Sequence, residues 1–397
     1  MPLTALLKRK LFQMMGRVQK PLVLQMPITS RCNSRCKTCN VWKHKSCVDM
    51  EPEALREALK DNFFSEVISV GLNGGEFTLV PNFPSVLEAV LSLPSIRNVN
   101  LITNGLLPER LFACLRTAMA MCDKRGVALH VCLSVDGVGA VHERVRGVPN
   151  CFAKTLAVLK ELHGKTGQYC HSFSVGCTLS LHNIAFARET EVFLQSFEGL
   201  RVEYHLAVPN KRIHTGDDYK GYYVLEDSRA RLLAAEFFYG KYRSAADEGS
   251  RRQYFANYYF LKNKGEGRLC SCAYLCRDVT IDENLDMSLC ATASDPIGNL
   301  KEQTATEIIR SKRAWRERRR IRKEQCESCI HYTYHDLSLS GRWAYIREGL
   351  RDAFALEYYN VRSKTSWMAR TICTIRLTVR MLRVFARQFY NLIWKLR

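Results

Sequence analysis

Val23-Leu24-Gln25-Met26-Pro27-Ile28 is followed, three residues on, by Cys32-Asn33-Ser34-Arg35-Cys36-Lys37-Thr38-Cys39. The first stretch is apolar and reads as a strand. The second is a Cys-x3-Cys-x2-Cys loop at its end. Outward from this point strands and helices alternate. Strands are expected at 66–70, 99–102, 127–133, 172–181 and 202–208. Helices are expected at 52–63, 84–93, 108–122, 152–164 and 185–197. Six β–α units over 22–210 imply a parallel sheet buried on both faces, as a curled or partial barrel.

Three thiolates on one short loop can hold three irons of a [4Fe–4S] cube and leave the fourth iron open for chemistry. A zinc site or three buried thiols is the bland alternative. In a parallel barrel this loop stands at the C-terminal strand ends, where active sites occur. Other strand ends are polar too. The second ends in Gly74-Gly75-Glu76, the third in Thr103-Asn104-Gly105, and the fourth in Ser134-Val135-Asp136-Gly137, with Arg146 beyond. Glycines let backbone approach a ligand, and a carboxylate accepts from an ammonium group. Each tripeptide alone is ordinary turn chemistry; their order and spacing together point to one site. Arg146 suits a carboxylate through its planar fork, or makes a surface salt bridge. Asp136 suits a ribose hydroxyl, or caps the turn that follows it.

The chain as a whole has 397 residues and a mass of 45.6 kDa. Hydrophobic residues make up 47% and charged residues 25%, which excludes wholesale disorder. Length points to two or three domains, or one barrel with an appendage. The net charge is +20, with 59 Lys and Arg against 39 Asp and Glu. That favours a nucleotide, a nucleic acid or an anionic membrane as partner. Seventeen cysteines, an odd number in a chain this long, read as metal ligands in a reducing compartment rather than a disulfide framework. Neither a secretory signal nor a transmembrane run is present in the sequence, so the expected location is cytoplasmic, or peripheral to a membrane.

A second cysteine group lies in 266–332. Cys270, Cys272 and Cys276 precede a strand–turn–strand pattern through Ile281-Asp282-Glu283-Asn284-Leu285-Asp286. Cys290 follows, then a helix-like stretch, then Cys326-Glu327-Ser328-Cys329. A four-thiolate site fits, with zinc or iron–sulfur as occupant. Cys47, Cys114, Cys122, Cys132, Cys151, Cys170, Cys177 and Cys373 stand singly and read as small buried hydrophobes.

Taken together, the Cys32–Cys39 loop, Gly74–Glu76, Thr103–Gly105 and Ser134–Gly137 resemble the radical SAM superfamily over about residues 22–210. The resemblance implies an α/β fold with a partial (β/α)6 TIM-like barrel. It implies a [4Fe–4S] cluster on Cys32, Cys36 and Cys39 whose open iron is chelated by S-adenosylmethionine. By position, Gly74, Gly75 and Glu76 would meet the amino group of that cofactor. Thr103 and Asn104 would lie beside it. Ser134 and Arg146 would hold its ribose or carboxylate, Asp136 would stand near, and Asn183 matches a further position. The family often has an aromatic residue where Thr38 stands; Trp42 is the substitute expected to cover the adenine. The second cysteine group resembles the twitch form of the SPASM extension, which carries an auxiliary [4Fe–4S] cluster. By position its ligands would be Cys272, Cys290, Cys326 and Cys329, with Cys270 or Cys276 as alternatives to Cys272. Leu285 stands where that family has glycine, and Asn284 is expected to supply the left-handed turn residue.

The implied activity is reductive cleavage of S-adenosylmethionine and hydrogen abstraction from a substrate C–H bond. The implied partner is an external one-electron donor of flavodoxin or ferredoxin type. Oxidation, dehydrogenation, epimerisation and crosslinking are the reactions in view. Only about 25 residues precede the first strand, fewer than a marginal domain needs. That weighs against a fused peptide-recognition domain and toward a sugar or lipid-linked glycan; a ribosomal-peptide maturase is the alternative. Asp217, Asp218, Tyr219, Tyr222 and Tyr223 are candidates for the substrate side. A non-catalytic iron–sulfur or zinc protein that binds membrane or nucleic acid is the competing class.

The organisation read from the sequence is a basic amphipathic segment at 1–21, the barrel at 22–210 and a helical connector at 211–265. The cysteine-rich unit follows at 266–332, then a basic helical tail at 333–397. The tail's apolar stripe is expected to pack on the parent domain or a partner helix, or its Arg-rich face with Phe389, Tyr390 and Trp394 to lie on an anionic membrane. The run Arg310–Lys323 is basic without an interleaved aromatic platform, so nucleic acid is disfavoured.

Overall fold

Alternate apolar residues decide which face of each strand is buried. In this computed structural model Leu24 and Met26, Val70 and Leu72, Val99 and Leu101, and Leu129, Val131 and Leu133 are all wholly buried. They form one core beneath the flanking helices. The structure describes residues 19–44, 47–213, 221–269, 272–275, 277–331 and 341–348, with isolated positions at 350, 379 and 386. The expected amphipathic segment at 1–21 lies almost wholly outside these residues, as do Asp217, Asp218, Tyr219, Cys270, Cys276 and Cys373. So does nearly all of the basic tail.

Six strands run parallel: β1 (Val23–Pro27), β2 (Ser69–Asn73), β3 (Asn98–Thr103), β4 (Ala128–Ser134), β5 (Ser172–Leu179) and β6 (Val202–Leu206). Between them run α1 (Pro52–Ala58), α2 (Phe83–Leu91), α3 (Pro108–Arg125), α4 (Ala140–Arg146), α5 (Cys151–Gly164), α6 (Thr166–Tyr169) and α7 (Ala187–Gln195). Proline sits in the first turn of α1, α2 and α3, where its missing N–H costs nothing. Gly126, left-handed at φ 64°, ends α3. The parallel α/β barrel expected from the sequence is therefore present.

The connector holds α8 (Ser228–Ser244) and α9 (Glu248–Lys262), started by Asp227 and Asp247, each accepting a backbone N–H of its first turn. Then come β7 (Val279–Ile281), β8 (Asp286–Ser288) and β9 (Pro296–Asn299), followed by α10 (Ala305–Arg310) and α11 (Lys312–Glu324). A Thr304–Glu307 capping box opens α10, and Ser311 caps α11. β7 pairs in parallel with β1, so the sheet order is β6-β5-β4-β3-β2-β1-β7-β8-β9. Asp278, 2% exposed, fixes this join: its carboxylate accepts the N–H groups of Leu22 and Val23, both at 3.2 Å.

Only the helix side of the sheet is fully buried. The alternate residues, among them Gln25, Asn73, Asn100, His130, Cys132, Ser172 and Glu203, face a lumen that helices do not fill, and Ile102 there is 44% exposed. The expectation of burial on both faces fails because the sheet curls around this space without closing.

Candidate active site

The cysteine loop is held on both sides. Gly75 N–H donates to Thr29 O at 2.8 Å and Glu76 N–H to Arg31 O at 2.8 Å. A side chain on Gly75 would overlap the Arg31 carbonyl, and one on Gly74, at φ 121°, would reach within 2.5 Å of Thr29 O. The glycine pair is thus dictated by backbone contact between the end of β2 and the entry to the loop. On the other side Arg35 N–H donates to Arg146 O at 2.9 Å and Lys37 N–H to Val145 O at 2.8 Å. Gly147, φ 64°, leaves room for Arg35 there.

Within this clamp Cys32, Cys36 and Cys39 are free, half-buried thiols. Burial, with weaker repulsion from the neighbouring cysteines, pushes Cys32 up to about 12 and Cys39 to about 11. Hydrogen-bond donors already point at two of the sulfurs. Ser34 N–H donates to Cys32 Sγ at 3.4 Å, and the Ser34 hydroxyl lies 3.1 Å from Cys36 Sγ. Arg146 Nη1 lies 3.6 Å from Cys36 Sγ. Such donors stabilise thiolate ligands, so the set fits the iron–sulfur cluster that the loop's spacing suggests. Among the described residues no three His, Cys, Asp or Glu side chains close on a single ion. A cube takes one thiolate per iron and so needs its thiols set wider apart.

Glu76 is 1% exposed. Its carboxylate accepts from the hydroxyls of Thr103 and Thr78 at 2.8 and 3.1 Å and from Asn104 N–H at 2.8 Å. Burial raises its pKa against the pull of those donors. Asn104 Nδ2 continues the chain of bonds to Asn33 Oδ1 in the loop, at 2.8 Å. Glu76, Thr103 and Asn104 therefore join β2, β3 and the cysteine loop.

Asp136 is expected to cap a turn or meet a ribose; instead its carboxylate is engaged twice. It accepts Thr178 N–H at 2.8 Å and pairs with Arg146 Nη2 at 2.9 Å, both side chains nearly buried. Arg146 is thus no surface ion pair. Burial opposes its charge, but the Asp136 carboxylate and the Cys36 sulfur outweigh that and raise its pKa. Arg146 Nε is buried without a hydrogen-bond partner. Asn183, 1% exposed, donates to the carbonyls of Asp136 and Thr178, both at 2.9 Å, and accepts from Ser180. It ties the ends of β4 and β5 together. Ser134 ends β4 beside Gly176, half-buried on the lumen side. Trp42 Nε1 donates to Cys36 O at 3.4 Å, with Arg35 and Lys43 over its ring. Tyr222 and Tyr223 line no open surface: they are 1% and 7% exposed and pack with Ala207.

Sequence reasoning missed the lumen lining. His130 on β4 lies 2.8 Å from Ser172 Oγ and 2.9 Å from Ser174 Oγ on β5. Asn73 donates to Gln25 at 2.9 Å, and Asn100 to Ser69 at 3.0 Å. The signal was available: polar residues at every second position of otherwise apolar strands. His142 was also missed. It accepts Asp136 N–H at 3.2 Å, and burial together with the Arg146 charge lowers it to about 3, leaving it neutral.

The second cysteine group converges as well. Cys272, Cys290, Cys326 and Cys329 are free and half-buried, and their thiols lie close enough to repel one another as thiolates. Burial first, then these neighbours, push Cys272 up to about 12 and Cys326 to about 11. The Arg268 guanidinium pulls the other way on Cys272, Cys326 and Cys329. Backbone N–H groups of Thr292 and Ala293 donate to Cys290 Sγ at 3.4 and 3.3 Å. Of the single cysteines, Cys122, Cys151, Cys170 and Cys177 are buried as expected, whereas Cys47 is exposed.

A strap joins the two thiol sets. Asn40 N–H donates to Ile213 O at 3.2 Å, and Lys211 N–H to Thr292 O at 2.7 Å. Between them Arg212 lies near Cys39 and 3.6 Å from Glu283, whose buried Oε2 has no hydrogen bond.

Residues 26–178 match the family model described as the Radical SAM superfamily. No curated protein matches the chain in sequence. Among solved structures, anSMEcpe with bound AdoMet and the Cp18Cys peptide is 18% identical, with a TM-score of 0.54 over 75% of this chain and 82% of that one. SuiB of Streptococcus suis bound to S-adenosylmethionine is 15% identical, with a TM-score of 0.52 over 77% and 69%. SuiB bound to the precursor peptide SuiA is 14% identical, with a TM-score of 0.51 over 77% and 68%. At such identities the likeness is one of fold.

Proposed function

We propose that this chain is an enzyme of the radical SAM superfamily, whose family model matches residues 26–178, and that it oxidises a polar substrate held in the barrel lumen. Cys32, Cys36 and Cys39 would hold the cluster that binds S-adenosylmethionine. The chemistry supplied there is reductive cleavage to a 5′-deoxyadenosyl radical, which abstracts hydrogen from a substrate C–H bond. The observation that carries the reading is the loop of three free thiols, clamped by 74–76 and 145–147 above a polar lumen.

The chain's own residues do the positioning. Gly74 and Gly75 bring backbone against the loop entry, and Glu76 with Thr103 and Asn104 keeps that geometry. Arg146, fixed by Asp136, presents a positive charge beside Cys36 and keeps an unpartnered Nε, suited to the carboxylate of S-adenosylmethionine. Ser134 is free to meet its ribose. Asn183 fixes the backbone of Asp136. The barrel limits water around the reacting atoms.

Cys272, Cys290, Cys326 and Cys329 would hold an auxiliary [4Fe–4S] cluster, in the manner of a twitch extension, that takes the electron left on the substrate. Their convergence and the N–H donors on Cys290 support this. For the substrate, a peptide is favoured: the lumen offers amides, hydroxyls and imidazole, and folds like this one have been seen with peptides bound. A sugar or glycan would use the same hydroxyl-rich lining and is the second reading.

Iron, sulfide and zinc analysis after anaerobic reconstitution tests the cluster assignment. We expect about eight irons per chain, and about four after either Cys32/Cys36/Cys39→Ala or Cys290/Cys326→Ala. Zinc replacing the second four would overturn the auxiliary cluster. Deuterium entering 5′-deoxyadenosine from perdeuterated peptides supports the peptide reading; transfer from sugars alone overturns it.

A further inference from the structure

Helix α11 turns a self-repelling face to solvent. Lys312, Arg313, Arg316, Arg319, Arg322 and Lys323 are exposed along it. Among the described residues none of the six makes an ion pair. Neighbours three and four apart on a helix repel when alike, at about 0.2–0.5 kcal/mol a pair. Lys312–Arg316, Arg313–Arg316, Arg316–Arg319, Arg319–Arg322 and Arg319–Lys323 are all such pairs. The opposite side holds the helix in place. Ala314 and Ile321 are buried there, and Arg320 pairs with Glu317 at 2.6 Å. Trp315 is 57% exposed on the charged side, with the Arg319 guanidinium 4.7 Å over its ring. An exposed Trp with a stacked Arg is the composition of an interface anchor.

The inner side of α11 is fastened to the second thiol set. Cys326 N–H donates to Ile321 O at 3.1 Å. Arg320 donates to Ala293 O at 2.9 Å, and Glu317 accepts Asp295 N–H at 2.7 Å, both just beyond Cys290. The basic face is therefore the outer wall of that cysteine site. At its C-terminal end the sign changes, where Glu266, Glu324 and Glu327 line a cleft with Lys323.

We propose that this face docks an acidic one-electron carrier of the flavodoxin type, which exchanges electrons with a cluster on Cys272, Cys290, Cys326 and Cys329. The proposal rests on the auxiliary cluster argued above. In turnover the electron taken from the substrate leaves the cluster and enters the carrier's oxidised flavin as its semiquinone. In the reverse direction, which stopped flow reads, the carrier's hydroquinone gives one electron to the oxidised cluster, and no heavy atom is transferred. Charge complementarity selects the partner and speeds its encounter, and redox encounters use small, polar interfaces. A membrane is a poorer occupant, because Trp315 is the single large apolar side chain on the exposed face. A nucleic acid is poorer for want of further stacking aromatics.

The test uses the full chain, reconstituted, and an acidic bacterial flavodoxin as probe. Binding is measured by calorimetry from 20 to 300 mM salt, and flavin hydroquinone oxidation by stopped flow. We expect binding to weaken steeply with salt. Arg313→Glu/Arg316→Glu/Arg319→Glu should weaken it about tenfold or more and slow flavin oxidation to match. Dithionite-driven cleavage of S-adenosylmethionine should be unchanged in that variant. Cys290/Cys326→Ala should keep flavodoxin binding and lose electron uptake by the second cluster. If that variant oxidises flavodoxin as fast as wild type, the auxiliary cluster fails as acceptor while the docking face stands. Unchanged flavodoxin affinity in the triple arginine variant, or salt-independent binding, would overturn the docking face. So would loss of binding to phosphatidylglycerol vesicles or single-stranded oligonucleotide with flavodoxin binding intact.

Discussion

Gly75 has no space for a side chain, because a Cβ there would overlap the Arg31 carbonyl oxygen. Gly75→Ala should therefore push the cysteine loop off β2. Iron analysis should show about four irons lost per chain and the second set's four retained. Gly164→Ala, with nothing within 4 Å of its Cβ and no left-handed backbone, is the matched control and should keep full iron. His142 makes a pH prediction. Its folded value is about 3 against an ordinary 6.5. Below about 6.5 the unfolded chain takes a proton that the folded chain refuses, so stability falls as pH falls toward 3. His142→Gln should remove about 2 kcal/mol of the stability lost between pH 7.5 and pH 5, read from unfolding midpoints. At this scale the cysteines and glycines were legible in the sequence, because their chemistry is local and their spacing short. Asp136 and Asn183 were picked out by position, but what they bond to was not. Their partners, Arg146 and Thr178, are set by tertiary contact that no local pattern announces.

Among the elements, the hairpin turn departs most from expectation. Leu285 itself, not Asn284, adopts the left-handed conformation, at φ 65°. Its side chain is wholly buried, and that burial outweighs the backbone cost of about 1–2 kcal/mol. Leu285→Gly should relieve the backbone yet lose a core side chain worth about 2–5 kcal/mol. A lower unfolding midpoint is expected; a rise would refute this account of the turn. The second strand is also shifted, from an expected 66–70 to Ser69–Asn73. Gly71 and Asn73 are weak strand formers, but parallel partners recruit them: β1 and β3 flank Gly71, and β1 pairs with Asn73. Helix α4, which carries Arg146, went unread because seven residues give too little periodicity. Helices α1, α2, α3, α5 and α7 were legible from proline starts or apolar stripes, whereas the four-residue α6 was not.

Across the whole molecule, one sheet carries both thiol sets. The second cysteine group is legible as a cluster in sequence, but its attachment to β1 is not, because a three-residue strand leaves no pattern of its own. Asp278→Ala would remove the acceptor for Leu22 and Val23 and deprive Arg277 of a partner at 2.7 Å. Breaking a buried pair in this way costs about 3–5 kcal/mol. Since the sheet is continuous, the loss should lower the unfolding of barrel and hairpin together, followed by hydrogen exchange at β1 and β7. Exchange that rises in the hairpin alone would contradict the shared sheet. No helix among the described residues is long and apolar enough to cross a membrane.

The central claim is that the clamped loop of Cys32, Cys36 and Cys39 supports radical cleavage of S-adenosylmethionine. The direct measurement is 5′-deoxyadenosine formation by the reconstituted, reduced protein, beside the Cys32/Cys36/Cys39→Ala variant. Formation by wild type and none by the variant is the predicted result. Equal formation by both, or none from an iron-loaded wild type that binds S-adenosylmethionine, would contradict it.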